Sequence, residues 1–416
     1  MKQLTLLFLI VFSNSLFSQA LFDVIEPDYI KTVILQPTKP DAYVPIMRLG
    51  ESFILSFDDL EADQKYYYYK IQHFDFNWQP SGLSEREYIK GYDGDRIRND
   101  ENSFNTLQFY THYSIVFPNR STQLLLSGNY MISVQDENEN IIFTRRLVLY
   151  ESLVDVGVSV HRSREIATID TKQNVQFVIN HPNMLINNPK VEIKTVLMQN
   201  NNWQTAITNL VPQFYRGSQL LYKYLDVTNF WAGNEFLYFD SKAVRFSNVY
   251  IKRVDSGPEL YHTILYTNYE RIDKPYGINP DINGNFVVRN VDGQGDSNIE
   301  ADYTWVFFSL NTLEDLRGKR VFINGNYNNW RNVVTNELFY NEESGLYETQ
   351  ILIKQGFYNY QFVTLDTTGN YSNHDIDGSF YQTENDYTVL VYYRKIGDRY
   401  DSVIGIGQAN SRNILN

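Results

Sequence analysis

The side chains able to carry out acid–base or metal chemistry are few and scattered. Six histidines, His73, His112, His161, His181, His262 and His374, stand at least 20 residues apart. A local zinc pair needs ligands at i and i+2 on a strand or i and i+4 on a helix, so none is present. The chain has no cysteine, which excludes thiol nucleophiles, thiolate ligands and disulfides. No Gly-x-Ser-x-Gly elbow, phosphate-cradling glycine loop or dinucleotide fingerprint occurs. Two constellations remain. His73-Phe-Asp75 with His112 has the residue types of an acid/base pair, although histidine between strand aromatics more often serves structure than catalysis. Asp93-Gly-Asp95 followed by Asp100-Glu101 offers the clustered loop carboxylates that calcium takes. That run lacks the ligand spacing of a calcium loop, and Arg96 and Arg98 stand close enough in sequence to pair with its charges. We expect no enzyme activity, no cofactor and no metal site.

The elements that would position these residues lie between Lys65 and Asn119. The run Lys65-Tyr-Tyr-Tyr-Tyr-Lys-Ile-Gln-His-Phe-Asp-Phe-Asn-Trp78 reads as a strand. It has Tyr66, Tyr68, Phe74, Phe76 and Trp78 on one face and Tyr67, Tyr69 and Ile71 on the other. A second strand follows over 108–119, stopped by Pro118, which cannot donate to a ladder. The two bracket a polar insertion, residues 79–107, far longer than an ordinary hairpin loop and therefore of functional interest. Its mixed charges read as a contact loop. Tyr92, Arg96 and Arg98, with Asp93 and Asp95 beside them, are the expected partner-contact residues, because tyrosine and arginine dominate interface hot spots.

Composition narrows the function further. Residues 1–20 read as a cleavable leader, with Lys2, an apolar run from Leu4 to Phe12 and Ser18-Gln-Ala20 at the cleavage site. No cysteine follows it to take a lipid anchor. Without that leader the chain has 35 basic residues against 49 acidic ones, a net charge of −14. Such a surface repels nucleic acid and anionic headgroups, so neither is expected as a partner. Sixty-four aromatics, 33 of them tyrosine, exceed what cores of this size bury and point to protein–protein surfaces.

Strand-like runs continue to the end, and the expected fold class is all-β: three consecutive immunoglobulin-like or early-set antiparallel β-sandwich domains. The expected boundaries are 21–150 for the first domain, 151–292 for the second, 298–396 for the third and 397–416 for a tail. The second opens on the valine-alternating run Val154 to Val160, and Gly293-Gln-Gly-Asp-Ser297 reads as the linker to the third. The third contains Arg320-Val-Phe-Ile-Asn-Gly-Asn-Tyr-Asn-Asn-Trp330, Lys354-Gln-Gly-Phe-Tyr-Asn-Tyr-Gln-Phe362 and a final strand, Tyr387 to Tyr393.

Two resemblances attach to these residues. His73-Phe-Asp-Phe-Asn-Trp78, Glu87-Tyr-Ile-Lys-Gly91, Ser103-Phe-Asn-Thr106 and Tyr110-Thr-His-Tyr113 through Phe117-Pro-Asn119 resemble the first domain of the type IX secretion system plug protein family. That resemblance implies a periplasmic, non-enzymatic and monomeric plug that occludes the outer-membrane translocon barrel of the system through protein–protein contacts. The third domain is similar to early-set modules of the glycogen-binding type, which implies an alternative, a periplasmic glycan-binding protein. The binding positions of those modules fall on Trp330 and, with substitutions, on Gln361 and Tyr371, with Asn385 as the late asparagine.

Overall fold

The computed structural model describes residues 23–293, 295–313, 316 and 318–414; the expected leader lies outside them. The described chain is all-β, built from antiparallel sheets with a few short parallel pairings.

The first module is a two-sheet sandwich. One sheet runs Ile30–Pro37, Phe53–Asp59, Thr111–Phe117, Asn99–Asn102, and the other Ile46–Arg48, Ile141–Tyr150, Gly128–Gln135, Tyr68–Phe74. Period-two alternation places Phe53, Leu55 and Phe57 from one sheet against Tyr67, Tyr69 and Ile71 from the other, all buried in one core. The expected strand at Lys65 stops at Phe74. There Asp75 accepts the Asn77 and Gln79 N–H groups at 2.9 Å each and turns the chain, so Phe76 and Trp78 leave the strand's face.

The insertion is not a free loop. It contains a helical turn, Glu85–Tyr88, and strands Ile89–Gly91 and Asn99–Asn102, which pair with Thr122–Leu124 and Thr111–Phe117. Its middle lies along the otherwise open edge of Tyr68–Phe74: Ile97 N–H donates to Tyr67 O (2.8 Å), and Ile71 N–H donates to Asp93 Oδ1 (2.7 Å). A bare edge strand invites foreign pairing, and the insertion closes this one.

The second and third modules are nested rather than consecutive. One sheet of the second module holds Asp155–Arg162, Lys172–Asn180, Gln219–Tyr222 and Phe214–Arg216; the other holds Ile207–Thr208, Ile193–Gln199, Asp386–Tyr393 and Ser402–Asn410. The strand expected to finish the third domain therefore completes the second, pairing Ile193 with Tyr393 and Gln199 with Tyr387. The segment expected to be a tail is the edge strand beside it. Gly405 and Gly407 let that strand lie against the valine run: a Cβ on either would come within 2.6 Å of a Val154 or Val156 methyl. Conversely, Leu237–Asp240, Ile251–Ser256, Tyr261–Leu265 and Phe286–Val288, which the sequence assigned to the second domain, join the third module's sheet. The third module is thus an insert that leaves the second after Trp231 and returns at Asp386. Its sheet folds over at Glu337–Asn341, whose first residues pair with Arg320–Asn324 and whose last pair with Leu346–Lys354, around Phe239, Val306, Phe308, Ile323 and Phe362.

Candidate functional site

The residues expected to contact a partner divide into two groups. Tyr92 is 76% exposed and the Arg98 side chain 71%, so both face solvent. Arg96 lies 3.7 Å over the Tyr66 ring, and its backbone bridges to Tyr68. Asp93 and Asp95 face inward and hold the insertion in place. Burial pushes the Asp93 carboxyl up to about 6, against the Ile71 N–H that it accepts. Burial also opposes ionising Asp95, but the Ser121 hydroxyl, the Arg96 N–H and Arg98 outweigh it and hold its carboxyl below the usual range. Sequence reasoning passed over Ser84 and Glu87, whose Oε2 accepts both the Ser84 N–H (2.7 Å) and the Ser84 hydroxyl (2.8 Å) at the start of the helical turn. The Ser-x-x-Glu spacing was the available signal.

The acid/base and calcium constellations do not assemble. His73 and His112 lie in different sheets of the first module. His73 is buried edge-on against Tyr130, and burial pushes its imidazole down to about 4. Asp100 and Glu101 sit in the strand Asn99–Asn102, away from the inward-turned Asp93 and Asp95. Three carboxylates do converge elsewhere, at Asp59, Glu61 and Asp63. The Lys65 ammonium occupies their centre, 3.0 Å from Asp59 and 3.1 Å from Asp63.

Trp330, Gln361, Tyr371 and Asn385, the glycan-binding candidates, do come together, but they enclose only about 20 Å³ of free space. That volume is about one water's worth, and no sugar ring enters it. The second module covers the face, with Asn385 Nδ2 donating to Gln173 Oε1 (3.2 Å) and Asn385 Oδ1 accepting Asn200 Nδ2 (2.8 Å), while Trp330 packs within its own module against Phe236 and Gly284.

The most developed chemistry lies at the junctions between modules. Asp58, on the first, and Lys354, on the third, form an ion pair at 2.6 Å with both side chains almost wholly buried. Asp58 also accepts Tyr303 OH (2.6 Å) and meets His112 Nδ1 (2.6 Å). Lys354 donates to Asn298 O (2.6 Å) and lies 4.1 Å over the Tyr110 ring. Burial alone would raise the Asp58 carboxyl and does pull the Lys354 ammonium down; at Asp58 the attraction of Lys354 and His112 wins and holds it below its ordinary value. A short distance away, Asp302 of the third module accepts the N–H groups of Leu107 (2.8 Å) and Gln108 (3.1 Å) at the insertion's end.

A second ionic junction is Glu26, bridging Arg145 (3.1 Å) of its own module and Arg331 (2.6 Å) of the third. Burial opposes its charge, but the two guanidiniums hold its carboxyl down to about 2. Between the first and second modules the contact is an apolar core of its own, with Phe76, Val148, Met198, Leu390 and Tyr392. Around it, Asp401 accepts Phe76 N–H (3.0 Å) and Lys194 (2.9 Å), and Arg146 lies 4.6 Å over the Trp78 ring. Every pair of modules is therefore joined by buried contacts. Among the described residues no helix is long and apolar enough to cross a membrane.

Comparison with known proteins gives a consistent picture. Residues 30–151 match the family described as type 9 secretion system plug protein, first domain. A crystal structure of a hypothetical protein from Parabacteroides merdae ATCC 43184 superposes with a TM-score of 0.90 at 32% identity, covering 94% of this chain and 99% of that one. The BSP domain of a biofilm associated protein aligns at 7% identity with a TM-score of 0.16, covering 92% of this chain and 59% of that one, and carries no argument. No curated protein matches. The match over the first module and the likeness along nearly the whole chain agree: the chain belongs to the type 9 secretion system plug protein family.

Proposed function

We propose that this chain is a non-enzymatic periplasmic plug, exported by a cleaved leader, that binds and occludes the pore of the type IX outer-membrane translocon as a single copy. The observation that carries this reading, beside family membership, is that the three modules are fastened into one body by buried ions and a shared apolar core. A steric seal works by keeping its shape under load, and flexibly linked modules would give way. The contact residues we assign are Tyr92, Arg96 and Arg98, on an insertion pinned by Asp93 and Asp95 and so presented rigidly, which lowers the ordering cost of binding. Removing the insertion would be a poor test, because Tyr88, Ile89 and Ile97 belong to the first module's core. The test is affinity purification of the tagged chain from detergent-solubilised outer membrane of its host. We expect an outer-membrane barrel of the secretion system to co-purify, and to be lost from a Tyr92→Ala/Arg98→Glu variant that melts like the parent. Failure to recover any barrel with the unaltered chain would refute the proposal.

A further inference from the structure

The three modules meet around a cavity of about 250 Å³, far larger than the ~10–15 Å³ that a single buried water needs. Its walls come from all three. Arg145, Arg146 and Arg331 line it, with Trp203 and Trp330 beside them. Three features set it apart from a packing void.

The first is unmet hydrogen-bonding capacity. Arg331 Nη2, Arg146 Nε and Tyr327 OH are buried without a hydrogen-bond partner among the described residues. The nearest charge to Arg146 Nε is Asp23 Oδ1 at 3.4 Å, an ion pair without a hydrogen bond. Buried donors of this kind are normally satisfied, and each exception calls for an explanation, such as a water or a ligand.

The second is charge. Three guanidiniums meet only two carboxylates, Asp23 and Glu26. The excess is one positive charge, which suits a monoanion. The Asp23 carboxylate would repel a dianion and would accept a hydroxyl.

The third is the backbone. Two pairs of consecutive residues, Asn200-Asn201 and Asn329-Trp330, hold left-handed conformations, with φ of 49°, 55°, 55° and 58°, and all four line the cavity. Asparagine tolerates this region, but a bulky tryptophan there is an outlier, and such residues concentrate at ligand sites. Asn201 and Asn329 stand half-buried in these pairs, with side-chain amides that make no hydrogen bond among the described residues.

We propose that this junction is a binding site for a small hydroxylated carboxylate, its carboxylate held by Arg331 and Arg146 and its hydroxyls by Asp23, Tyr327 and the Asn201 and Asn329 amides. The guanidinium fork matches a carboxylate, and amides with a phenol match hydroxyls. Such chemistry occurs in 2-hydroxy acids and in uronic acids. Because the site touches every module, a ligand there would tie the three together.

The test is calorimetric titration of the whole mature protein with lactate and with glucuronate, and with their neutral counterparts lactamide and glucose. We expect saturable binding of at least one carboxylate, with its neutral counterpart about tenfold weaker or more. Binding of lactate alone identifies a 2-hydroxy acid, and of glucuronate alone a uronic acid. Arg331→Met should abolish binding but also disturbs Glu26. Asn201→Asp is therefore the discriminating variant: it keeps a residue that accepts the left-handed backbone and adds a negative charge at the site. It should weaken the carboxylate about tenfold while leaving the melting temperature of the unliganded protein in place. Absence of heat with both carboxylates, equal binding of the neutral counterparts, or unchanged affinity in Asn201→Asp would each overturn the assignment.

Discussion

Replacing Lys354 by methionine removes the cation from the junction of the first and third modules while preserving most of the side chain's volume. What remains is the Asp58 carboxylate, fully buried, with Tyr303 OH and His112 Nδ1 each at 2.6 Å. Taking one partner from a buried pair strands the other and costs about 3–5 kcal/mol. The companion variant Asp58→Asn/Lys354→Met strands no charge and should recover a large part of that loss, so the double-mutant cycle should show coupling of about 1–3 kcal/mol. The pH dependence has a definite sign. The Asp58 carboxyl is depressed in the native protein, so its contribution is complete above the unfolded value of ~3.9 and is lost as pH falls through the lower folded value. Without Lys354, burial drives Asp58 to take up a proton, so the penalty of the single variant is greatest near neutrality and shrinks on acidification. Urea denaturation of Lys354→Met, Asp58→Asn and the double variant at two pH values measures this. A cost below about 1 kcal/mol, as for an exposed pair, with no change between the two pH values, would refute the view that this pair is desolvated and locks the two modules.

Three further outcomes follow from the geometry. Gly407→Val forces a side chain into the Val156 methyl and carbonyl, each 2.6 Å from the new Cβ, and should cost about 1–3 kcal/mol, read by urea denaturation. Asp93→Asn keeps the oxygen that accepts Ile71 N–H and removes a carboxyl raised to about 6. The native group binds its proton more tightly than the unfolded one, so stability falls as pH rises from ~4 to about 6, and the variant should be more stable at pH 7 by about 1 kcal/mol after allowance for partial exposure, with the gain gone below ~4. Arg146→Ala takes a guanidinium from the Trp78 face, 4.6 Å from its ring centre; we expect a loss of about 1–2 kcal/mol and faster limited proteolysis between the first and second modules.

The parts of the fold legible in the sequence were those written in local period. Tyr67, Tyr69 and Ile71 alternate, and they enter the core together; Pro118 follows the last residue of the strand Thr111–Phe117. Where a side chain made a local bond instead, period failed, as at Asp75, whose turn sends Phe76 to the neighbouring module. Pairing between distant segments leaves no periodic trace. The strand Asp386–Tyr393 has the same alternation whether it completes one sandwich or another, and chain order favoured the wrong one, because consecutive elements are usually neighbours. The Gly-x-Gly pattern at Gly405 and Gly407 resembled a loose end because its cause, the valines it lies against, belongs to another strand. At the candidate surface, exposure of Tyr92 and Arg98 was readable from composition, whereas the inward turn of Asp93 depends on the backbone N–H of Ile71, a group every residue type shares, and that of Asp95 on the hydroxyl of Ser121, 26 residues away. Asp58 and Lys354 carried no mark of their pairing, being ordinary charged residues at strand ends until the modules close over them.

The nested order of the modules constrains how the protein can be made. A chain emerging from its amino terminus supplies one sheet of the middle unit early, but the other stays half built until Asp386–Tyr393 and Ser402–Asn410 arrive to sit beside Ile193–Gln199. The intervening unit has its own core and can mature first, bringing Trp231 and Asp386 into proximity and shortening the search that closes so distant a pairing. Without Ser402–Asn410 the protein would therefore hold two finished bodies flanking an unsealed one, with an open sheet edge along Asp386–Tyr393.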